Sequence, residues 1–198
     1  MCQTETLSVV ITPVPNSNPI PTVSHKCACG GHGGFAGRKV PPGHDLEYPS
    51  VDFPPSGFIA EVGETALRAL VLRHHTLLRQ HAEIGHLFAR DDKVFAERVA
   101  KIADYIVEAC GGPSAYSDAE GSDVCIRTRH FPFEIDERAR EIWLEKLFVA
   151  LGETQFSLLA KQTYWTWLEA MSIRMINRRH AKAQPTRIGF DEAVGRFG

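Results

Sequence analysis

Three stretches of this 198-residue sequence carry side chains able to hold a metal. The first is Arg127-Thr128-Arg129-His130-Phe131-Pro132-Phe133, with Trp143 ten residues further on. A histidine closes a short basic segment, and an aromatic-proline-aromatic corner follows at once. A neutral imidazole on a short, loosely tethered segment can reach a metal held between helices, and a haem iron takes such a ligand. The second stretch is His74-His75, inside an apolar periodic run. Adjacent helical residues point about 100° apart, so only one of the two can face a given centre well. The third is the run from His25 to Gly34, where His25, Cys27, Cys29 and His32 place two thiols and two imidazoles within eight residues. That donor set suits zinc, copper or iron. Its Cys-x-Cys spacing is neither that of a zinc finger nor the Cys-x-x-Cys-His of covalent haem attachment, and a redox-sensitive dithiol is the alternative.

The elements that would position these residues fall into two unlike halves. Nine of the twelve prolines lie between Pro13 and Pro55, and glycines cluster at Gly30, Gly31, Gly33 and Gly34. Residues 1–57 therefore read as an extended or disordered extension. Its later part carries Tyr48 and Phe53, which suit either an arm lying on a folded domain or a linker.

From Val62 onward the spacing predicts helices. Leu67, Leu70, His74, Leu77 or Leu78, and His81 form a first stripe. Phe95, Val99, Ile102, Ile106 and Ala109 form a second, capped by Asp91 or Asp92 and ended by Gly111-Gly112-Pro113. Ile135, Ala139, Ile142, Leu147 and Ala150 form a third, with Asp136 near its first turn. Phe156, Leu159, Thr163, Trp167, Ala170 and Met171 form a fourth, running to about His180. Ser114 to Ser122 reads as a loop, and Asp123 to Arg129 as a short helical segment that delivers His130. No strand pattern is legible.

Composition excludes several classes. A net charge of -2 gives no reason to expect nucleic acid or an anionic membrane. No run of about 18 apolar residues is present to span a bilayer. An odd count of five cysteines with no secretory leader suggests reduced thiols and a cytoplasmic setting.

Three motifs, Gly111-Gly112-Pro113-Ser114-Ala115-Tyr116, Arg127 to Ile135, and Ile142-Trp143-Leu144, together resemble a truncated haemoglobin, most of all the second group of that family. Glu141-Ile142-Trp143-Leu144 also has a flavour of the third group. The likeness spans roughly residues 62–180. It implies an all-α, two-over-two helical sandwich around haem b over residues 58–182, with 183–198 as a tail. It implies His130 as the proximal iron ligand and Tyr116 and Phe133 as haem contacts. Arg127 and Arg129 become candidate partners of the haem propionates, with a solvated basic turn as the alternative.

On the distal side the resemblance places Ile102, Tyr105 and Ile106 toward the pocket, Arg98 at its gate and Phe88 against the haem. His75 falls where the family usually has a tyrosine that donates to the gas. It can act as that donor, or as a sixth iron ligand; in a third reading the helix is shifted by one residue and His74 faces inward. Trp143 matches the group's distal tryptophan, a donor-only indole. The implied function is reversible binding of dioxygen or another diatomic gas such as nitric oxide. Redox turnover, either conversion of nitric oxide with dioxygen to nitrate or peroxidase-like use of peroxide, would need an external reductase. A haem-free, globin-fold regulatory or interaction module is the alternative.

Overall fold

The protein is described from a computed structural model covering residues 38–39, 47–49, 51–120, 126–180 and 184–198. The cluster from His25 to His32 lies outside these residues, and no group of three or more metal-ligating side chains occurs among the described ones.

Eight α-helices occur among the described residues: α1 (Phe58–Val62), α2 (Glu64–Gln80), α3 (Asp92–Ala109), α4 (Ala115–Glu120), α5 (Ile126–His130), α6 (Glu137–Gly152), α7 (Leu158–Met175) and α8 (Phe190–Phe197). A 3-10 turn, Gly85–Leu87, joins α2 to α3. α2 packs on both α3 and α6, and α6 packs on α7, which is the two-over-two arrangement. Residues of the predicted stripes supply much of the shared core: Leu67 and Leu70 of α2, Val99 and Ile106 of α3, Leu147 of α6 and Trp167 of α7 are buried, joined by Leu144 and Trp165 from outside the stripes. Each such aliphatic side chain contributes about 1.5–3 kcal/mol when fully removed from water.

Polar caps fix where the long helices start. The Asp91 carboxylate accepts from the Val94 amide at 2.9 Å, Asp136 from Ala139 at 2.7 Å and the Ser157 hydroxyl from Ala160 at 3.1 Å. Each occupies one of the otherwise unpaired first-turn amides. Gly63, at φ 81°, separates α1 from α2.

The boundaries differ from expectation in three places. Residues 115–120 are helical rather than a loop; the Ser117 amide donates to the Glu108 carboxylate at 2.9 Å, tying α4 to α3. α7 ends at Met175, five residues before His180. The Asn177 and Arg178 amides both turn back to the Ile135 carbonyl at 2.9 Å, which competes with another helical turn. A two-residue antiparallel pairing, Arg38 opposite Tyr48 and Lys39 opposite Glu47, precedes the helices.

The C-terminal residues also form an element. Phe190 and Phe197 of α8 pack on Trp165 and Phe148. The Trp165 indole donates to the Ile188 carbonyl at 2.8 Å. Beneath this segment the buried Glu169 carboxylate accepts from the Arg140 guanidinium, from Arg187 and from the Ile188 amide.

Candidate functional site

His130 ends α5, and its ring is bound by its own helix. Its Nδ1 lies 2.7 Å from the Ile126 carbonyl oxygen. A carbonyl only accepts, so Nδ1 carries the proton and Nε2 keeps a bare lone pair. The backbone at this corner is fixed by Asn177, whose Nδ2 donates to the His130 carbonyl at 3.0 Å and to the Phe133 carbonyl at 2.8 Å. Burial lowers the His130 pKa, against the opposing pull of the Ile126 carbonyl, so the ring is neutral at pH 7.

The two adjacent histidines of α2 are both buried and differ in their partners. His74 Nε2 donates to the Trp143 carbonyl at 3.0 Å, and its ring meets the Trp143 indole edge-on at 4.6 Å. His75 instead donates from Nδ1 to the Val71 carbonyl at 2.8 Å, one turn back. Its ring lies edge-on to Phe88 at 6.3 Å. His75 thus repeats the His130 arrangement, with Nδ1 spent on the helix and Nε2 left as an acceptor. Burial pushes its pKa down from 6.5 to about 4; the Val71 carbonyl opposes the shift, and the nearby His130 adds to it. His74 is also held well below 6.5, by burial first and then by His75.

Trp143 projects from α6 and is half-buried, and its indole N–H makes no hydrogen bond among the described residues. Ile102 and Tyr105 are half-buried on α3 and Ile106 is buried there, while Arg98 is exposed one turn earlier. Tyr105 packs edge-on against Tyr116 at 5.3 Å, and Arg129 lies over Tyr116 while pairing with Glu120. Arg127 stacks over Tyr48 and Phe131. Phe133 is half-buried beside the corner that Asn177 holds. The structure therefore gathers His75, Phe88, His74 and Trp143 into one contact set. It gives Arg127 and Arg129 partners other than the expected propionates. Asn177 carried no sequence signal, whereas Tyr48, read as belonging either to an arm on the domain or to a linker, packs on it as an arm would.

The profile of the bacterial-like globin family matches residues 60–177. The chain belongs to that family. Among solved structures, this globin is similar to phosphate-bound Hell's gate globin IV at 39% identity and a TM-score of 0.70, over 76% of this chain and 92% of that one. It resembles the group II truncated haemoglobin of Bacillus anthracis at 25% identity and a TM-score of 0.58, over 66% and 97% of the two chains. It also resembles the haemoglobin of Chloroflexus aurantiacus at 27% identity and a TM-score of 0.53, over 61% and 98%. No curated protein matches the chain. The globin is thus of the truncated, two-over-two kind, and its family implies a haem iron. No helix among the described residues is long and apolar enough to cross a membrane.

The side chains present fit that group. His130 offers an imidazole Nε2 with a bare lone pair at a helix end, the donor an iron porphyrin takes, and Phe88 and Ile102 are apolar side chains left half-buried. The three buried imidazoles also set an acid limit on the haem-free globin. Each binds fewer protons folded than unfolded, so stability is lost as pH falls below about 6.5. For His75 the loss is complete near its folded value of about 4 and amounts to roughly 3 kcal/mol. Denaturant titrations of haem-free protein at pH 7 and pH 4.5 should show this drop; equal midpoints would contradict it.

Proposed function

We propose that this globin holds haem through His130 and binds a diatomic gas, dioxygen or nitric oxide, on the face lined by His75, Trp143 and Phe88. The haem supplies an iron that can take both an imidazole and a gas. The observation that carries the reading is the His130–Ile126 hydrogen bond. It fixes the tautomer, aims the ring and leaves Nε2 as the ligand, in the way outer partners orient metal-bound histidines. Phe88, Ile102 and Ile106 exclude water. The Trp143 N–H is the donor left for the negative end of a polarised gas.

His75 has a different role from a tyrosine. A tyrosine hydroxyl can donate; neutral His75 has already given its only N–H to Val71, so its Nε2 offers a lone pair. Its bare Nε2 would make His75 an iron ligand rather than a hydrogen-bond donor when no gas is bound. His74 spends its Nε2 on the Trp143 carbonyl, so of its two ring nitrogens only Nδ1 keeps a lone pair.

The purified protein should be red, with a Soret band, and its ferric form should be low-spin. His75→Leu should convert that spectrum to high-spin and speed gas binding by roughly tenfold or more, since a bound side chain no longer has to leave. A water-bound, high-spin ferric spectrum in the native protein would remove His75 from the iron. A colourless protein that takes up no added haemin would overturn the reading as a whole.

A further inference from the structure

α5, which carries His130, is one of the two shortest α-helices among the described residues. Five residues make barely one helical turn, too short to hold its own shape in water. Its place is therefore set by what it touches. Within the family-matched region Asn177 grips the His130 carbonyl, Arg129 pairs with Glu120 and lies over Tyr116, and α5 packs on α7. A further contact comes from outside that region. The Arg127 guanidinium lies over the Tyr48 ring, 5.1 Å from its centroid.

Tyr48 is itself firmly seated. It is 2% exposed, although it belongs to the proline-rich segment ahead of the domain. Its ring packs on Ile173 of α7, and the Arg174 guanidinium lies 5.3 Å from its centroid. Arg174 also donates to the Pro49 carbonyl at 2.8 Å. Further along the same segment Val51 is fully buried, and Phe53 meets Trp167 at 5.6 Å. The segment is an arm packed on the domain, and Tyr48 bridges α7 to α5 through two cation–π contacts. The Tyr48 hydroxyl has no hydrogen-bond partner among the described residues, so the ring face makes the bridge.

We propose that Tyr48 is a positioning residue for the proximal histidine: its ring, held against α7, fixes Arg127 and with it the tilt and depth of His130. The inference rests on the reading of His130 as the iron ligand.

The test uses the full-length, haem-loaded ferrous protein and the iron–histidine stretching band in resonance Raman. Free carbon monoxide is first bound and photolysed, so that the band reports the five-coordinate state. Tyr48→Phe keeps the π face and should leave the band where it is, with haemin loss within about twofold of native. Tyr48→Leu keeps the apolar contact with Ile173 but removes the π face. It should shift and broaden the band and speed haemin loss by roughly fivefold to tenfold, the range expected for losing partly buried cation–π contacts. Tyr48→Ala should go further in the same direction; if it fails to fold, the leucine variant decides. A leucine variant with an unshifted band and native haemin retention overturns the role of Tyr48. Absence of any iron–histidine band in the native protein overturns the assignment of His130 instead, so the two failures are told apart.

Discussion

His130→Ala should release haemin on the order of 100-fold faster than the native protein. Disturbing only the outer hydrogen-bond partner of a metal ligand commonly costs 10–100-fold in affinity, and removing the ligand costs at least as much. The fold should survive the change, because the side chain's one hydrogen bond is to its own short helix. The variant leaves a space the size of a ring above the metal. Free imidazole added at millimolar concentration should therefore restore the ferrous spectrum and slow the loss. Haemin transfer to an excess of an apoglobin acceptor measures the rate, and the spectrum measures the rescue. An alanine variant that keeps native haem retention and native iron coordination would move the proximal role to another residue.

The largest effect on stability is expected far from the iron, at Glu169. Its carboxylate is buried and serves Arg140, Arg187 and the Ile188 amide together. Arg140 is buried too, and besides Glu169 it donates to the Ser172 hydroxyl at 2.8 Å and the Thr186 carbonyl at 3.1 Å. Glu169→Ala leaves a guanidinium charge with no counter-ion in a site water cannot enter, and that costs about 3–5 kcal/mol. It also frees the Ile188 amide and loosens the seat of α8. Arg187 is half exposed, and water replaces much of what its ion pair supplies, so Arg187→Ala should cost about 1 kcal/mol or less. Urea unfolding of the two variants separates these values. A Glu169→Ala midpoint close to that of Arg187→Ala would show that Arg140 finds another counter-charge.

The helices of this globin were legible because their apolar residues recur at three and four positions over long windows. Leu67, Val99, Ile142 and Trp167, one from each stripe, are buried, while Leu159 of the fourth faces solvent. What escaped was local. α4 is a six-residue helix of small polar residues, held by a hydrogen bond to Glu108 that no periodicity announces. α8 lies beyond Pro185 and Gly189, and its burial depends on Phe148 and Trp165, distant in sequence. The candidate site divides the same way. Its residue types and order were readable, because ligands and donors have few chemical substitutes. The protonation pattern was not, because it depends on which carbonyl each ring meets in space. His75 reads equally well as a donor or as a ligand from the sequence, which does not reveal that its Nδ1–H is donated to the Val71 carbonyl. Asn177 and Tyr48 act through contacts across the chain, which spacing along it does not reveal.

Adjacent histidines invite the thought that one is a spare. The hydrogen bonds of His74 and His75 argue otherwise. One ring is protonated on Nε2 and secured to the Trp143 carbonyl; the other is protonated on Nδ1 and secured to its own helix. To substitute for its neighbour, either would have to exchange tautomers, break a buried hydrogen bond and turn by the angle between successive helical residues. The tandem therefore carries no redundancy. It is a division of labour written in two identical letters, and mutational tolerance at one of them says nothing about tolerance at the other.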